Sequence, residues 1–535
     1  MSNSVSRRYW LAGGLLLLIV FKFWLVHTED IYGSATEYDA LWYLNAARNW
    51  YWGSPYSWTA FARPPAYPLF IALVHLCVIP LRLAIELLQI GAYLVLITAF
   101  RKAGIPRWVC LLAFAVMVLH PASFLFNNHT MSDSFYAGVL PLALGGLLLT
   151  LFTGKAGHAI WTGVTLGVLW NTREESILIP AMLAIFFAIA LFHRRSEMGS
   201  WKAAVRFWTN PAVAMLVPLA FLVLAVDVAN YRVFRAFSKS ELTSSSFQAA
   251  YKALLRIRPS HQQRFVSVST EALETAYQVS PAFARLKPQF EGDLGHNWQV
   301  PALNSLGAHE IGAPWFFWAL RNVAANTGGI HDSAAHADRF YRDVATEINR
   351  ACDEGRVPSR VVLSTFLDPG ALASLRYLPQ SFLRIAGLFV QRYETTAERD
   401  DAILTASQRA LYDEMTGRHA HPSRPKRKSE ALENFIGAWH RSFVVGMSLI
   451  GCAALLVFVW HWRRLRLREP FSAILVLLVA SIFLRVTLFS YLDATWWIGG
   501  YERYLFPVMP LYSCFLVLLM YEAVAVWRKS AIPLP

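Results

Sequence analysis

The chain has 535 residues and a formal net charge of +14, with 56% hydrophobic and only 16% charged residues. A soluble domain of ordinary composition has about 45–50% apolar and about 25% charged residues, and the apolar residues here gather in runs of roughly 17–22, the length that spans a bilayer core. This excludes a soluble enzyme, a disordered chain and a disulfide-stapled secreted domain, and it predicts an all-α polytopic membrane protein in which topology accounts for much of a charge that would otherwise suggest nucleic acid.

The first apolar run, Tyr9 to Val26, follows Arg7 and Arg8. It is long for a signal peptide, and His27-Thr28-Glu29-Asp30 offers no small-residue cleavage site, so the sequence predicts an uncleaved span with a cytoplasmic N-terminus. Further runs lie near 83–100, 107–125, 134–152, 159–170, 176–192, 211–230, 441–460, 471–491 and 505–527, which makes ten spans. Counting the apolar stretch Pro64 to Pro80 as another span would invert every later loop. Left out, it gives a consistent basic cytoplasmic side: Arg7/Arg8, Arg101/Lys102/Arg107, Lys155, Arg194/Arg195/Lys202/Arg206, Arg463/Arg464/Arg466/Arg468 and Arg528/Lys529. Pro64 to Pro80 is therefore expected as a helix on or dipping into the outer face, and the C-terminus is expected in the cytoplasm.

Three regions follow: a membrane module, 1–230, with a first outer loop at 27–82; a large outer loop, 231–440, long enough to be a domain; and the C-terminal spans and short tail, 441–535. Helical patterns recur in the large loop near 268–278, 334–352 and 397–414, so that domain is expected to be mostly helical. Pro314 to Trp318 and Ser381 to Ile385 read as amphipathic aromatic stretches resting on the membrane surface. His419 to Lys428, with two prolines and four basic residues, reads as a linker. Four of the five cysteines lie in apolar runs and Cys352 has no partner in its loop, so no structural disulfide is expected.

Polar residues collect at the outer ends of several spans, where a charge near the membrane calls for a partner or a function. Asp39 opens a helical stretch with Trp42 and Tyr43; its carboxylate can cap the helix or act as a general base toward an acceptor. Arg63, before Pro64-Pro65-Ala66-Tyr67-Pro68, can pair with lipid phosphate or hold the phosphate of a lipid-linked substrate. His129 and Asp133 follow Asn127-Asn128 and stand four apart, as a weak metal pair or as part of a polar site. Arg173, before Glu174-Glu175, either pairs locally or reaches that site. Arg503 and Tyr504 follow Trp496-Trp497 and Gly499-Gly500. Arg485, Asp227 and Glu86, inside spans, read as structural pairs or cavity-lining groups. The shared content of carboxylates and arginines on one side is what a site handling a phosphorylated lipid needs.

In this pattern the chain resembles the GT-C superfamily of integral-membrane glycosyltransferases, and within it the protein O-mannosyltransferase and lipid A aminoarabinose transferase branch. The resemblance rests on Asp39 with Tyr43 and Ala46/Ala47, on Arg63-Pro64-Pro65-Ala66-Tyr67-Pro68, on Pro121 with Asp133, and on Arg503-Tyr504-Leu505-Phe506-Pro507-Val508-Met509-Pro510. It covers residues 1 to about 230 well, 441–527 loosely and 231–440 not at all. It implies a GT-C-like fold and a hexosyl- or pentosyltransferase of the bacterial inner membrane, with an active site on the periplasmic or extracellular side. The donor would be a polyprenyl-phosphate sugar and the acceptor a glycan, lipid or protein. Asp39 would be the catalytic base and Asp133 a second acid of the site. Arg63 would contact the donor phosphate, with Tyr43, Glu37, His129, Arg173, Arg503 and Tyr504 as further substrate-binding residues. A divalent metal is compatible with this resemblance, but no clear ligand set marks one: Ala40 and Ala62 stand where many relatives carry acids, leaving Glu37 as the nearby substitute. A transporter or flippase of a lipid-linked or anionic solute, and a glycan ligase or polymerase, are the alternatives. The missing inverted repeat and the one-sided polar groups weigh against transport.

Overall fold

The structure is a computed structural model, and it describes residues 2–27, 29–31, 37–54, 56–57, 59–367, 369–391, 404–418, 426–461, 469–497 and 499–530. These form helices, with no β-strand among the described residues. In chain order the first group is α1 (Ser2–Val26), α2 (Glu37–Arg48), α3 (Ala66–Leu76), α4 (Leu81–Lys102), α5 (Arg107–Val118), α6 (Pro121–Phe126), α7 (Ser132–Thr153), α8 (Ala156–Trp170), α9 (Leu178–Met198) and α10 (Trp201–Phe234). The loop domain holds α11 (Ser245–Arg256), α12 (Thr270–Val279), α13 (Pro281–Ala284), α14 (Lys287–Phe290), α15 (Asp293–Leu306), α16 (Ala313–Ala325), α17 (Ala334–Asp353), α18 (Pro369–Ser374), α19 (Leu378–Gly387) and α20 (Ala406–Thr416). The chain returns through α21 (Lys426–His461), α22 (Glu469–Thr495), α23 (Tyr501–Leu505) and α24 (Met509–Ser530).

Among the described residues, 8 helices are long and apolar enough to cross a bilayer, which makes this a polytopic integral membrane protein. The other two expected spans are α1, a 25-residue helix of which Trp10–Val26 is the described apolar part, and α8. The helix α8 has 15 residues, about 22 Å of rise against a hydrocarbon core of about 30 Å, because its apolar run stops where Asn171-Thr172-Arg173 begins. The ambiguous stretch after Arg63 forms α3, whose 11 residues rise only about 16 Å, too little to span. At the domain edges, α10 continues past residue 230 to Phe234. Lys426 to Lys428, expected in a linker, are the first turn of α21, while 419–425 lie outside the described residues.

Helices α4, α7, α8 and α10 pack side by side through glycines. Lipid tails are as apolar as leucine, so helix association in a bilayer depends on close approach and on polar contacts. A Cβ at Gly145 in α7 would meet Leu96 backbone atoms of α4 at 3.2 Å, and one at Gly146 would meet the Thr162 hydroxyl of α8 at 2.6 Å. On α8, Gly163 and Gly167 stand four apart: a Cβ at Gly163 would lie 2.1 Å from the Met215 carbonyl oxygen of α10, and one at Gly167 would lie 2.8 Å from the Leu222 Cβ.

The loop domain has its own core, in which Phe247 and Leu254 of α11 meet Tyr341 and Ile348 of α17, with Phe283 and Phe316. Its helices fall at Thr270–Val279, Ala334–Asp353 and Ala406–Thr416, close to the expected patterns. The reading of Pro314 to Trp318 as a membrane-surface stretch is overturned. Phe316 is fully buried and Trp318 nearly so, because the aromatic face of α16 closes the domain core. Ser381 to Ile385 lie in α19, which packs against α22 while leaving Leu383 exposed. All five cysteines are free.

Close glycine packing makes a sharp expectation. Gly163→Leu should destabilise the solubilised protein by at least about 1–3 kcal/mol, since the obstacle is backbone. Gly157→Ala, where an added Cβ meets nothing within 4 Å, should leave the thermal unfolding midpoint in place.

Candidate active site

The site is built where α2, the start of α7, the segment after α8, α22 and α23 converge. Asp39 lies in the first turn of α2, where a carboxylate is favoured by the helix dipole. Arg63 donates from one nitrogen, Nη2, to both Asp39 oxygens at 2.8 Å, and from Nη1 to Glu174 Oε1 at 3.3 Å. Its guanidinium lies 4.4 Å from the ring centre of Trp318. Three contacts fix it there. The Tyr51 hydroxyl donates to the Arg63 carbonyl at 2.6 Å. Pro64 and Pro65 stiffen the chain behind it. The Ala66 N–H donates to the Asn171 carbonyl at 3.0 Å, tying the start of α3 to the end of α8.

Asp133, in the first turn of α7, is almost wholly enclosed. Arg173 Nη1 stands 2.9 Å from Oδ1 and Arg503 Nε stands 3.6 Å from Oδ2, yet neither oxygen accepts a well-aligned hydrogen bond. Arg173 also donates to Ser132 Oγ at 2.9 Å and to Glu175 Oε1 at 3.0 Å. The other oxygen of Glu175 faces Arg485 Nη1 at 2.8 Å, and Arg485 Nε donates to the Tyr504 carbonyl at 2.5 Å. Tyr504 accepts at its hydroxyl from Arg503 Nη2 at 3.0 Å, and its ring lies 5.4 Å from the Arg173 guanidinium. The Tyr43 and Ser132 hydroxyls are 3.0 Å apart. Arg63, Arg173, Arg485 and Arg503 thus interleave with Asp39, Asp133, Glu174 and Glu175 in a set of balanced formal charge.

The surroundings tune these groups. Burial pushes the Asp39 carboxyl up, but the Arg63 guanidinium, with Arg503 and Arg173 farther off, more than reverses it and holds the group below the usual carboxylate range. Burial pushes the Tyr43 hydroxyl up to about 12, so it remains protonated. Burial, then Arg503, lowers His129 to about 4 against a smaller pull from Asp133, so the imidazole is neutral at ordinary pH.

Of the residues expected from sequence, Asp39, Tyr43, Arg63, His129, Asp133, Arg173, Arg503 and Tyr504 come together here. Glu37 begins α2, but its side chain lies outside those described. Asn127 and Asn128 turn away to α4: Asn127 donates to Glu86 and Gln89, and Asn128 accepts from Arg82 Nε at 2.7 Å. Glu86 is the hub of that cluster, with Arg82 Nη1 at 2.5 Å and Lys22 at 3.6 Å, as a structural pair should be. No group of three or more His, Cys, Asp or Glu side chains forms a metal set among the described residues. A divalent ion in this network would have to displace guanidinium groups from the carboxylates.

Two participants had no sequence signal. Lys239, buried just after α10, donates to the Arg173 carbonyl at 2.9 Å and to Ser176 Oγ at 2.6 Å; burial lowers it to about 8. In the loop domain Arg321, on the helix that carries Trp318, is completely buried. It pairs with Glu241 and donates from Nη2 to the Ala60 carbonyl at 2.9 Å. Glu241 in turn accepts from the Tyr56 hydroxyl at 2.5 Å and donates its backbone N–H to the Phe61 carbonyl at 2.9 Å. This clamp holds the segment before Arg63, where Tyr51 (φ 66°) and Phe61 (φ 60°) occupy the left-handed region that bulky side chains disfavour.

No family model and no curated protein matches the chain. Among solved structures, the crystal structure of ArnT from Cupriavidus metallidurans bound to undecaprenyl phosphate aligns with 96% of this chain and 77% of its own, at 15% identity and a TM-score of 0.32. The apo structure of ArnT from the same organism aligns over 97% and 78%, at 14% identity and 0.31. Superposition at that level does not equate the two folds.

Breaking the Arg321–Glu241 pair leaves a buried charge uncompensated. Arg321→Met should therefore cost about 3–5 kcal/mol in denaturant unfolding. Pairing it with Glu241→Met should recover part of that loss. The lysine makes a separate prediction. Once pH rises past about 8, Lys239 loses its charge beside Glu174 and Glu175, so any activity that depends on this network should fall there. Lys239→Arg, which stays charged, should carry activity to higher pH.

Proposed function

We propose that the protein is a glycosyltransferase that moves a sugar from a polyprenyl-phosphate-linked donor to a glycan, lipid or protein acceptor at the outer face of the membrane, with inversion at the anomeric carbon. In this reading both termini lie in the cytoplasm of a bacterial inner-membrane protein. The observation that carries it is the pair of hydrogen bonds that Arg63 donates to Asp39, each 2.8 Å long, set among three further arginines. One carboxylate suited to proton transfer sits within reach of guanidiniums suited to a leaving phosphate.

In the proposed reaction the acceptor hydroxyl attacks the anomeric carbon from the face opposite the phosphate. Its proton passes to Asp39, the new glycosidic bond forms, and the bond from the anomeric carbon to the phosphate oxygen breaks. The electron pair leaves on the lipid phosphate, whose charge Arg63 and Arg503 offset. Asp39 paired with Arg63 is a weak base, since the guanidinium stabilises the carboxylate. An arriving phosphate competes for the same guanidinium. As Arg63 turns to it, Asp39 loses its partner and gains basicity, so the donor binds first and readies the base. Arg485, with both terminal nitrogens lacking a well-aligned acceptor, has donors to spare. A small apolar cavity lined by Leu140, Ile179, Met182 and Leu484 lies against it.

Asp39→Asn should lower turnover by about 10²–10⁴-fold while leaving expression unchanged; near-normal transfer in that variant would sink the assignment. In Arg63→Gln the depressing partner is gone, so the acid limb of kcat/KM, which reports the free enzyme's base, should move to higher pH. A limb that stays in place would mean that Asp39 is not the titrating base.

A further inference from the structure

Among the described residues, six of the loop domain's exposed large apolar side chains fall at 361–390, including Leu363 (75% exposed) and Leu383 (73%). Three arginines stand with them. Arg264 and Arg376 face the Tyr377 ring at 3.8 and 4.9 Å, and Arg264 Nη2 donates to the Ala494 carbonyl at 3.0 Å. Arg384 pairs with Asp493 while about half exposed. Partial burial, and then the nearby Arg376 and Arg384 against a pull from Tyr377, disfavour the charge of Arg264. Asp493 is the carboxylate among the described residues that pairs with this trio, and Arg384 engages it, so positive charge is left over at an exposed place.

The level of this patch is fixed by α22. Asp493 and Ala494 belong to its last turn, where a spanning helix leaves the hydrocarbon. Deeper along the bundle, Phe382 of α19 meets Phe483 at 5.8 Å, and Phe389 meets Tyr512 at 4.9 Å. Leucines facing outward beside a span, with guanidiniums at its end, match the two layers of a lipid: acyl chain and headgroup. The headgroup end of the patch, at Asp493, lies eight residues beyond Arg485 on α22, about 12 Å along the axis.

We propose that Arg264, Arg376 and Arg384, together with Leu383, form a site for an anionic phospholipid of the surrounding bilayer. The phosphodiester is held between guanidiniums, which suit bidentate contact with phosphate. The acyl chain lies along the exposed leucine. This inference is independent of the transfer reaction.

Native mass spectrometry of the full-length protein, released from detergent with phosphatidylglycerol or phosphatidylcholine, tests it without any activity readout. Wild type should retain phosphatidylglycerol over phosphatidylcholine by about tenfold or more. The double variant Arg264→Gln/Arg376→Gln should lose most of that preference, at up to about fivefold per arginine, with phosphatidylcholine retention unchanged. Arg376→Gln alone, at an exposed position whose neighbour is the Tyr377 ring, should show an intermediate loss and serves if the double variant does not fold. Equal retention of both lipids by wild type, or undiminished phosphatidylglycerol retention in the variants, overturns the proposal. So does displacement of the bound lipid by polyprenyl phosphate in wild type, which would assign the patch to the donor instead.

Discussion

A guanidinium held away from water needs acceptors on several sides, because both its charge and its five N–H groups have been taken out of solvent. Arg173 finds them on two separate pieces of chain: Ser132 and Asp133 at the head of α7, and Glu175 just beyond itself. Glu175 then hands the requirement on to Arg485 in α22. Each partner offsets a charge that could not otherwise be buried, so the helix ends must meet at this one place. The glycine-mediated approach of α4, α7, α8 and α10 sets how near the helices stand. The charge network sets which ends come together.

The same logic gives the loop domain a part in the site. Trp318 stacks on Arg63, and Arg321, one turn further along α16, reaches the backbone at Ala60. At the two ends of the segment before Arg63, Tyr51 and Phe61 occupy conformations that aromatic residues disfavour, at a cost of order 1–3 kcal/mol for each such residue. Such a segment persists because the buried Glu241–Arg321 pair and the Tyr51 hydroxyl hold it from both sides. A domain that looks like an appendage is thus structurally continuous with the position of one side chain.

Much of the site was legible in the sequence because charged residues at the ends of apolar runs are conspicuous. Asp39, Arg63, Asp133, Arg173 and Arg503 could be singled out one by one on that ground. Their pairing could not. Arg485 stood out as a charge within a span, but its partner lies about three hundred residues earlier in the chain. Lys239 sat among ordinary loop residues with nothing to distinguish it. The helices were legible where apolar runs were long and became uncertain where they were short, as in α8. The misplacement of Pro314 to Trp318 has a similar origin: a face of Trp and Phe suits a membrane surface and a protein core equally well, and only the fold around it decides.

The hydrogen bond from the Ala66 N–H to the Asn171 carbonyl has a bearing on how this chain can change over evolutionary time. It anchors one end of a three-residue ruler, Arg63 to Ala66, whose two prolines allow almost no slack. An insertion or deletion there would move the guanidinium by a residue's length relative to the carboxylates it bridges. Loops of the distal domain do not carry that guanidinium. Length variation should therefore accumulate in the distal loops and be purged between Arg63 and Ala66, so that spacing there is under tighter selection than the identity of most neighbouring residues.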